Sequence, residues 1–396
     1  MSRLRPRLAY FSPLPPAASG IADYSRELLP HLARVADVTF FAESPQDVST
    51  ADWWDGKALP LDEFPARRWA FDLPLYQMGN SQHHAAIYKM LCRYPGVMVL
   101  HDFVLHHMLL ESTVGVGDHA AYSRELAYEL GQPGHELARR IRYRGQPHPL
   151  FDLPLNRRAM DASLGIIVHS RYVARLVEAQ TGGPVYVVPA LAGITEDEPA
   201  PIQPLNLPPD TLLVGSFGQI TAAKRLDQAF AAFRQLLDHG VRAHYLLVGG
   251  VHPEVNLAQL LAENRLEEHV THLGRVADLG QFRAWINQVD IVINLRQPTA
   301  GETSATALRA LAAAKPLIVY DLGWYSELPD DVCLKLPPLD NAALFEALLS
   351  LANQPERRQA LGQAARQYAQ AHHHPAHVAG AYLAAITGIL ERIDAR

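Results

Sequence analysis

With 396 residues, 48% of them hydrophobic and 19% charged, the chain carries more apolar material than one core absorbs and too much for extended disorder, so two or three globular units are expected. A formal net charge of −6 with acids and bases spread through both halves excludes the broad basic face that nucleic acid as main partner requires, and favours a small ligand. Cys92 and Cys333, the only cysteines, form neither a disulfide framework nor a metal-binding CxxC, so reduced thiols in a cytoplasmic setting are expected.

Along the chain, residues 1–10 lead into a short apolar strand with no secretory h-region or cleavage site, so no signal peptide is expected. A strand at residues 8–11 is followed by a Ser/Pro/Gly loop at 12–20 and a helix at about 21–33. Further strands are expected at 38–41, 97–100, 164–168 and 185–188. Nowhere do about 18 apolar residues run together, so any membrane contact is peripheral. The run Arg139, Arg140, Arg142, Arg144, Arg157 and Arg158 has Asp152 as its only acid between residues 137 and 160. It reads as a solvated helix and loop, or as a patch meeting an anionic acceptor or an acidic membrane surface.

Residues 195–209 are rich in Glu, Asp, Pro, Gln and Asn and read as a connecting segment. The same plan then restarts, with strands at 212–217, 245–248, 291–295 and 317–320 and a helix at about 226–237. Strands alternating with helices imply two tandem, doubly wound α/β domains. They are expected at 1–194 and 210–375. A last helix, about 376–393, places Val378, Tyr382, Ile386, Ile389, Leu390 and Ile393 at three- and four-residue steps and must pack on something. The triplet His372, His373 and His374 lies before it as a turn.

Ligands of parallel α/β sheets gather at the carboxyl ends of strands, which singles out four places. The loop at 12–20 ends in Ser19-Gly20 directly before a helix, where backbone can approach an anion; a rigid proline turn is the plainer reading. His101-Asp102 follow the strand at 97–100, with His106 and His107 beyond. An imidazole there could hydrogen-bond a sugar hydroxyl, with Asp102 fixing its tautomer, or be a buried, satisfied histidine. No HExxH or comparable spacing appears, and no metal is expected. The segment 218–224 follows the first strand of the second half and puts Lys224 where it could meet phosphate. It is neither a P-loop nor a GxGxxG fingerprint, which weakens kinase, ATPase and dehydrogenase readings. Residues 296–304, from Arg296 through Gly301, Glu302, Thr303 and Ser304, precede an alanine-rich helix. Free amides at that helix start, its dipole and Gly301 suit a diphosphate, with Thr303 or Ser304 as cap; Glu302 either faces the reacting sugar or completes the cap.

With these motifs in order, the sequence resembles glycosyltransferase family 4, the retaining GT-B enzymes, over nearly its whole length. The resemblance is carried by Ser19-Gly20, His101-Asp102, the 218–224 segment and Gly301-Glu302 through Lys315-Pro316. It implies an N-terminal acceptor domain and a C-terminal domain holding a UDP- or GDP-sugar, facing each other across a cleft, with the last helix crossing back. It further implies His101, Asp102 and Glu302 as catalytic residues and a donor set of Ser19, Gly20, Gln219, Lys224, Arg275, Arg296, Gly301, Thr303, Ser304 and Arg309. Metal independence is implied too, and fits the lack of a DxD pair. Two departures stand out. The family's two glutamates, counted back from Lys315-Pro316, fall on Gly301 and Arg309; counted from Glu302, the second falls on Ala310. Gln219 replaces the arginine that accompanies Lys224, and Arg296 or Arg309 is the expected substitute. The expected activity is transfer of a sugar with retention to a saccharide, glycolipid or other hydroxyl acceptor. A nucleotide-sugar 2-epimerase and a silent sugar-nucleotide-binding protein are the alternatives.

Overall fold

The computed structural model describes residues 5–15, 17, 19–43, 54, 56–195 and 200–395. Residues 1–4 of the N-terminal stretch, Pro16 and Ala18 of the first loop, and residues 196–199 of the connecting segment lie outside the described residues. The chain divides into two compact units. The first comprises Met1–Leu191, Ala300–Thr303 and Pro375–Arg396; the second, Ala192–Thr299 and Ser304–His374. The boundary therefore falls before the connecting segment, at Leu191 and Ala192, and residues 200–209 group with the second unit.

The first unit is built on seven strands, β1 Arg7–Phe11, β2 Asp37–Ala42, β3 Lys57–Pro60, β4 Leu73–Met78, β5 Gly96–Leu100, β6 Ser163–Val168 and β7 Val185–Val187. They pair in the order β3-β2-β1-β4-β5-β6-β7, every pair parallel. All five residues of β5 are buried, as expected of a strand covered by helices on both faces. β3 and β4 are absent from the sequence-level reading. Pro74 and Gln77 interrupt the apolar run of β4, and β3 is a four-residue edge strand with no fully buried position.

The last helix, Pro375–Asp394, belongs to the first unit. Val378, Tyr382, Ile386 and Ile389 are fully buried. The Tyr382 hydroxyl lies 2.9 Å from that of Tyr24, on the helix Gly20–Leu32. Gly165 of β6 leaves room for Ile389, since a side-chain carbon on it would stand 2.6 Å from that isoleucine. Ile393, expected on the buried stripe, is 39% exposed because the helix end runs past its packing surface.

The second unit repeats the plan with β8 Leu212–Phe217, β9 Ala243–Val248, β10 Val270–His272, β11 Ile291–Ile293, β12 Leu317–Tyr320 and β13 Leu334–Leu336. The parallel order is β10-β9-β8-β11-β12-β13. Its core gathers Phe230 and Phe233 of the helix Leu226–Asp238 edge-on to Tyr245 of β9, at 5.4 and 5.1 Å between ring centres. The short edge strands β10 and β13 are again the ones periodicity misses. In both sheets the order of strand addition reverses once, between β1 and β4 in the first and between β8 and β11 in the second, and such switch points are where open α/β sheets bind ligands. Among the described residues no helix is long and apolar enough to cross a membrane.

Candidate functional site

At the switch point of the second sheet, β8 ends at Phe217 and the chain turns through Gly218, which has φ +83°. The left-handed turn favours glycine, and a side-chain carbon there would lie 3.2 Å from the Thr306 hydroxyl and 3.3 Å from the Lys224 ammonium, pressing on both. Lys224, buried at the end of the short turn Ala222–Lys224, donates to the Phe217 carbonyl. The backbone amide of Gln297 donates to Ala223 O at 2.9 Å, tying the loop after β11 to this turn.

That loop ends in the helix Ala305–Ala312, capped by Ser304, whose Oγ accepts from the Ala307 amide at 3.2 Å. The Ser304 hydroxyl also accepts from Asn294 Nδ2 at 2.8 Å, so the residue just after β11 fixes the cap. The cap is therefore Ser304 rather than Thr303 or Glu302. The first-turn amides left for a ligand are those of Ala305 and Thr306. Glu302 Oε2 instead accepts from the Ala300 amide at 2.7 Å. Asn294 and Thr306 were missed from sequence; a polar residue closing a buried strand was the available signal for Asn294.

The remaining cations separate. Arg296 follows β11 half-buried, and Arg275 is exposed after Gly274 at the end of β10. Gln219 is exposed next to Gly218. Arg309 is buried and lines a cavity of about 260 Å³ together with Gly193, Arg283, Asn287, Ala313 and Arg366. The cavity is thus formed by residues 192–195 and three helices of the second unit, with Arg309 on one of them.

In the first unit, His101 follows β5, and its Nε2 lies 2.6 Å from Gln77 Oε1 of the adjacent β4. Its ring meets Tyr24 edge-on at 4.8 Å and His169 at 4.6 Å. Burial, then the neighbouring His169 and His84, hold the His101 pKa well below the usual imidazole value, so the ring is neutral at pH 7. Asp102 accepts from the Asn80 amide at 2.8 Å. The orienting contact expected from Asp102 therefore comes from Gln77, because Asp102 turns toward the loop after β4. Gly79 in that loop has no space for a side chain, which would meet Ile21, His84 Nε2 at 3.0 Å and Asp102 Oδ2 at 3.2 Å.

His106 bridges Leu153 O at 2.8 Å and the Tyr122 hydroxyl at 2.7 Å, and His107 Nδ1 lies 2.8 Å from Asn80 Nδ2; both join elements of the fold. Burial lowers His106 to about 4. Ser19 caps the helix Gly20–Leu32, accepting from Ile21 N at 3.2 Å, and Gly20 faces open space. Within the first unit Gly301, at φ +80°, packs where a side-chain carbon would be 2.6 Å from Phe103 Cβ, and the Val104 amide donates to Ala300 O at 3.0 Å. These contacts put Ala300–Thr303, Glu302 included, in the unit that carries His101.

The expected arginine run is divided. Arg158 pairs with Glu125 at 3.0 Å and Arg157 with Asp161 at 3.8 Å, acids outside the window read from sequence. Arg139, Arg140, Arg142 and Arg144 are exposed on the helix Gln132–Arg144.

Two six- or seven-stranded doubly wound units in one chain, each with its loops at a switch point, define the GT-B fold. Residues 208–354 match the family model described as glycosyl transferases group 1. The fold and the matched residues are those of a glycosyltransferase, an enzyme that transfers a sugar from a nucleotide-sugar donor to an acceptor. Among solved structures it is similar to sucrose-phosphate synthase of Thermosynechococcus elongatus, with TM-score 0.66 and 17% identity over 99% of this chain and 100% of that one. HepE of Anabaena in complex with UDP gives TM-score 0.62 and 14% identity over 99% and 100% of the two chains. WaaG, a glycosyltransferase involved in lipopolysaccharide biosynthesis, gives 0.57 and 15% over 94% and 98%. At these identities the likeness shows the fold. A comparison with curated proteins found no sequence match.

Proposed function

We propose that this protein is a retaining glycosyltransferase that uses a UDP- or GDP-sugar, without a metal ion, and glycosylates a saccharide or glycolipid. The observation that carries the reading is the β8–β11 switch point, where Lys224, Gly218, Thr306 and the Ser304-capped helix converge. Lys224 and the Ala305 and Thr306 amides stabilise the diphosphate as the sugar departs, offsetting the developing charge as a divalent ion would. Arg296, half-buried just after β11, or Arg309 replaces the cation lost at Gln219. Arg275 takes a peripheral place on the donor. His101 accepts from a donor-sugar hydroxyl. Glu302, held over its own loop by the Ala300 amide, orients the sugar together with Gly301, Ser19-Gly20 take part in holding the donor, and Asp102 supports the site beside His101.

UDP in the first instance is supported by the HepE structures, which hold UDP, UDP with glucose, and UDP-glucose. A glycolipid acceptor is supported by the exposed arginines of the helix Gln132–Arg144 beside Tyr143, 72% exposed. Such a face suits an anionic membrane surface, and the setting proposed for the enzyme is the cytoplasmic side of that surface. The test is a thermal-shift series with UDP, GDP and ADP and their sugars, with and without EDTA. One nucleotide raises the melting temperature regardless of EDTA, and Lys224→Ala removes the rise. A rise that needs added metal, or one that survives Lys224→Ala, overturns the assignment.

A further inference from the structure

Gln77 occupies a position where a buried parallel strand should be apolar. Its neighbours Leu75, Tyr76 and Met78 are core residues, and Gln77 itself is 0% exposed. A buried carboxamide costs stability unless its polar atoms are used. Its side-chain oxygen faces His101 Nε2 at 2.6 Å, and its backbone carbonyl faces His84 Nδ1 at 3.0 Å. β4 and β5 are paired in register with Gln77 opposite Val99, so the contact to His101 is set by strand pairing rather than by a mobile loop.

Among the described residues Gln77 Nε2 has no hydrogen-bond partner, and Oε1 is the atom that faces the ring; a carboxamide oxygen only accepts, so in this arrangement the hydrogen sits on His101 Nε2. A neutral ring then carries its lone pair on Nδ1. The rings of Tyr24 and His169 bound the same imidazole on other sides. The titratable groups around it are Tyr24, His84 and His169, and Tyr24 is held neutral by burial.

We infer that Gln77 is a positioning residue that locks His101 into its Nε2–H tautomer, making Nδ1 an obligate hydrogen-bond acceptor toward a hydroxyl of the donor sugar. This rests on the proposed donor role of His101. The specificity consequence is direct: a sugar hydroxyl, which can donate, is accepted at that point, whereas an ether or a deoxy carbon is not.

The experiment is a long-range ¹H–¹⁵N spectrum of the histidines at pH 7, with His101 assigned by its loss in His101→Asn, recorded for the wild type, Gln77→Leu and Gln77→Glu. Expected are a single Nε2–H tautomer in the wild type, a mixed or inverted one in Gln77→Leu, and a protonated ring in Gln77→Glu, whose carboxylate raises the pKa of its neighbour. Sugar-transfer kinetics accompany the spectra. Gln77→Leu lowers kcat about tenfold, the scale of one hydrogen bond, with the KM for donor little changed. A wild-type Nδ1–H tautomer, or an unchanged tautomer in Gln77→Leu, overturns the inference. If Gln77→Leu does not fold, the wild-type tautomer and the Gln77→Glu protonation decide. Full transfer activity in His101→Asn overturns the donor role of His101 instead, and leaves the tautomer result standing by itself.

Discussion

His84 is the residue whose titration weighs most on the fold. It is fully buried against the Gln77 carbonyl, and burial lowers its pKa to about 4 from 6.5. Its folded pKa lies below the unfolded one, so between these values the unfolded chain binds the extra proton. The contribution is therefore complete above about pH 6.5 and is lost as pH falls toward 4, reaching on the order of 3 kcal/mol. His106 acts in the same direction. Melting temperatures measured from pH 7.5 to 4 should fall steeply below 6.5 in the wild type and more shallowly in His84→Gln. Parallel curves would remove His84 from this account. At the same scale, a histidine after an apolar strand is legible in sequence, but its partner is not. Gln77 lies 24 positions away from His101 on a strand that Pro74 and Gln77 itself disguise.

At the scale of elements, the loops at the switch points depend on close backbone approach. Gly249, after β9, has its α-carbon against the Gly218 carbonyl, with no space between them for a side-chain carbon. Gly249→Ala must displace the Gly218 turn and with it Lys224. Nucleotide binding, measured by calorimetry, should weaken at least about tenfold, the equivalent of about 1.4 kcal/mol, while far-ultraviolet circular dichroism is unchanged; unaltered affinity would show that the turn is not part of the donor site. The last helix offers a packing test. Ile389 is fully buried against Gly165, and Ile389→Ala should cost about 2–4 kcal/mol in denaturant unfolding, as a large-to-small core change does. A loss under half a kilocalorie, roughly the surface range, would mean that this helix is not docked in solution. The periodicity of that helix showed that one face had to be covered. It did not show by what: β6 and the helix Gly20–Leu32 lie more than 200 residues earlier in the chain.

For the whole molecule, net charge is a poor guide to where it meets its surroundings. The total of −6 conceals an exposed basic helix, since Arg157 and Arg158 are neutralised by Asp161 and Glu125 while Arg139, Arg142 and Arg144 remain exposed. Replacing these three with alanine should weaken sedimentation with anionic vesicles by about 1 kcal/mol per arginine, with the wild-type interaction lost at high salt. Neutral vesicles serve as the control. Equal binding of wild type and triple variant would exclude this helix as the membrane face.

Local sequence determined the alternation of strands and helices, its restart near residue 212, the loops that follow β1, β5, β8 and β11, and the amphipathic last helix. Each is a matter of spacing along one short segment, where burial on one face leaves a 2.0 or 3.6 period. The tertiary structure alone decided which edge strands complete the sheets, that Ser304 rather than Glu302 caps its helix, and that Ala300–Thr303 join the first unit. It also decided that Gln77 rather than Asp102 orients His101, and which arginines are neutralised. These depend on which side chains meet through space once parallel strands distant in sequence lie about 4.8 Å apart, and no local period encodes that pairing.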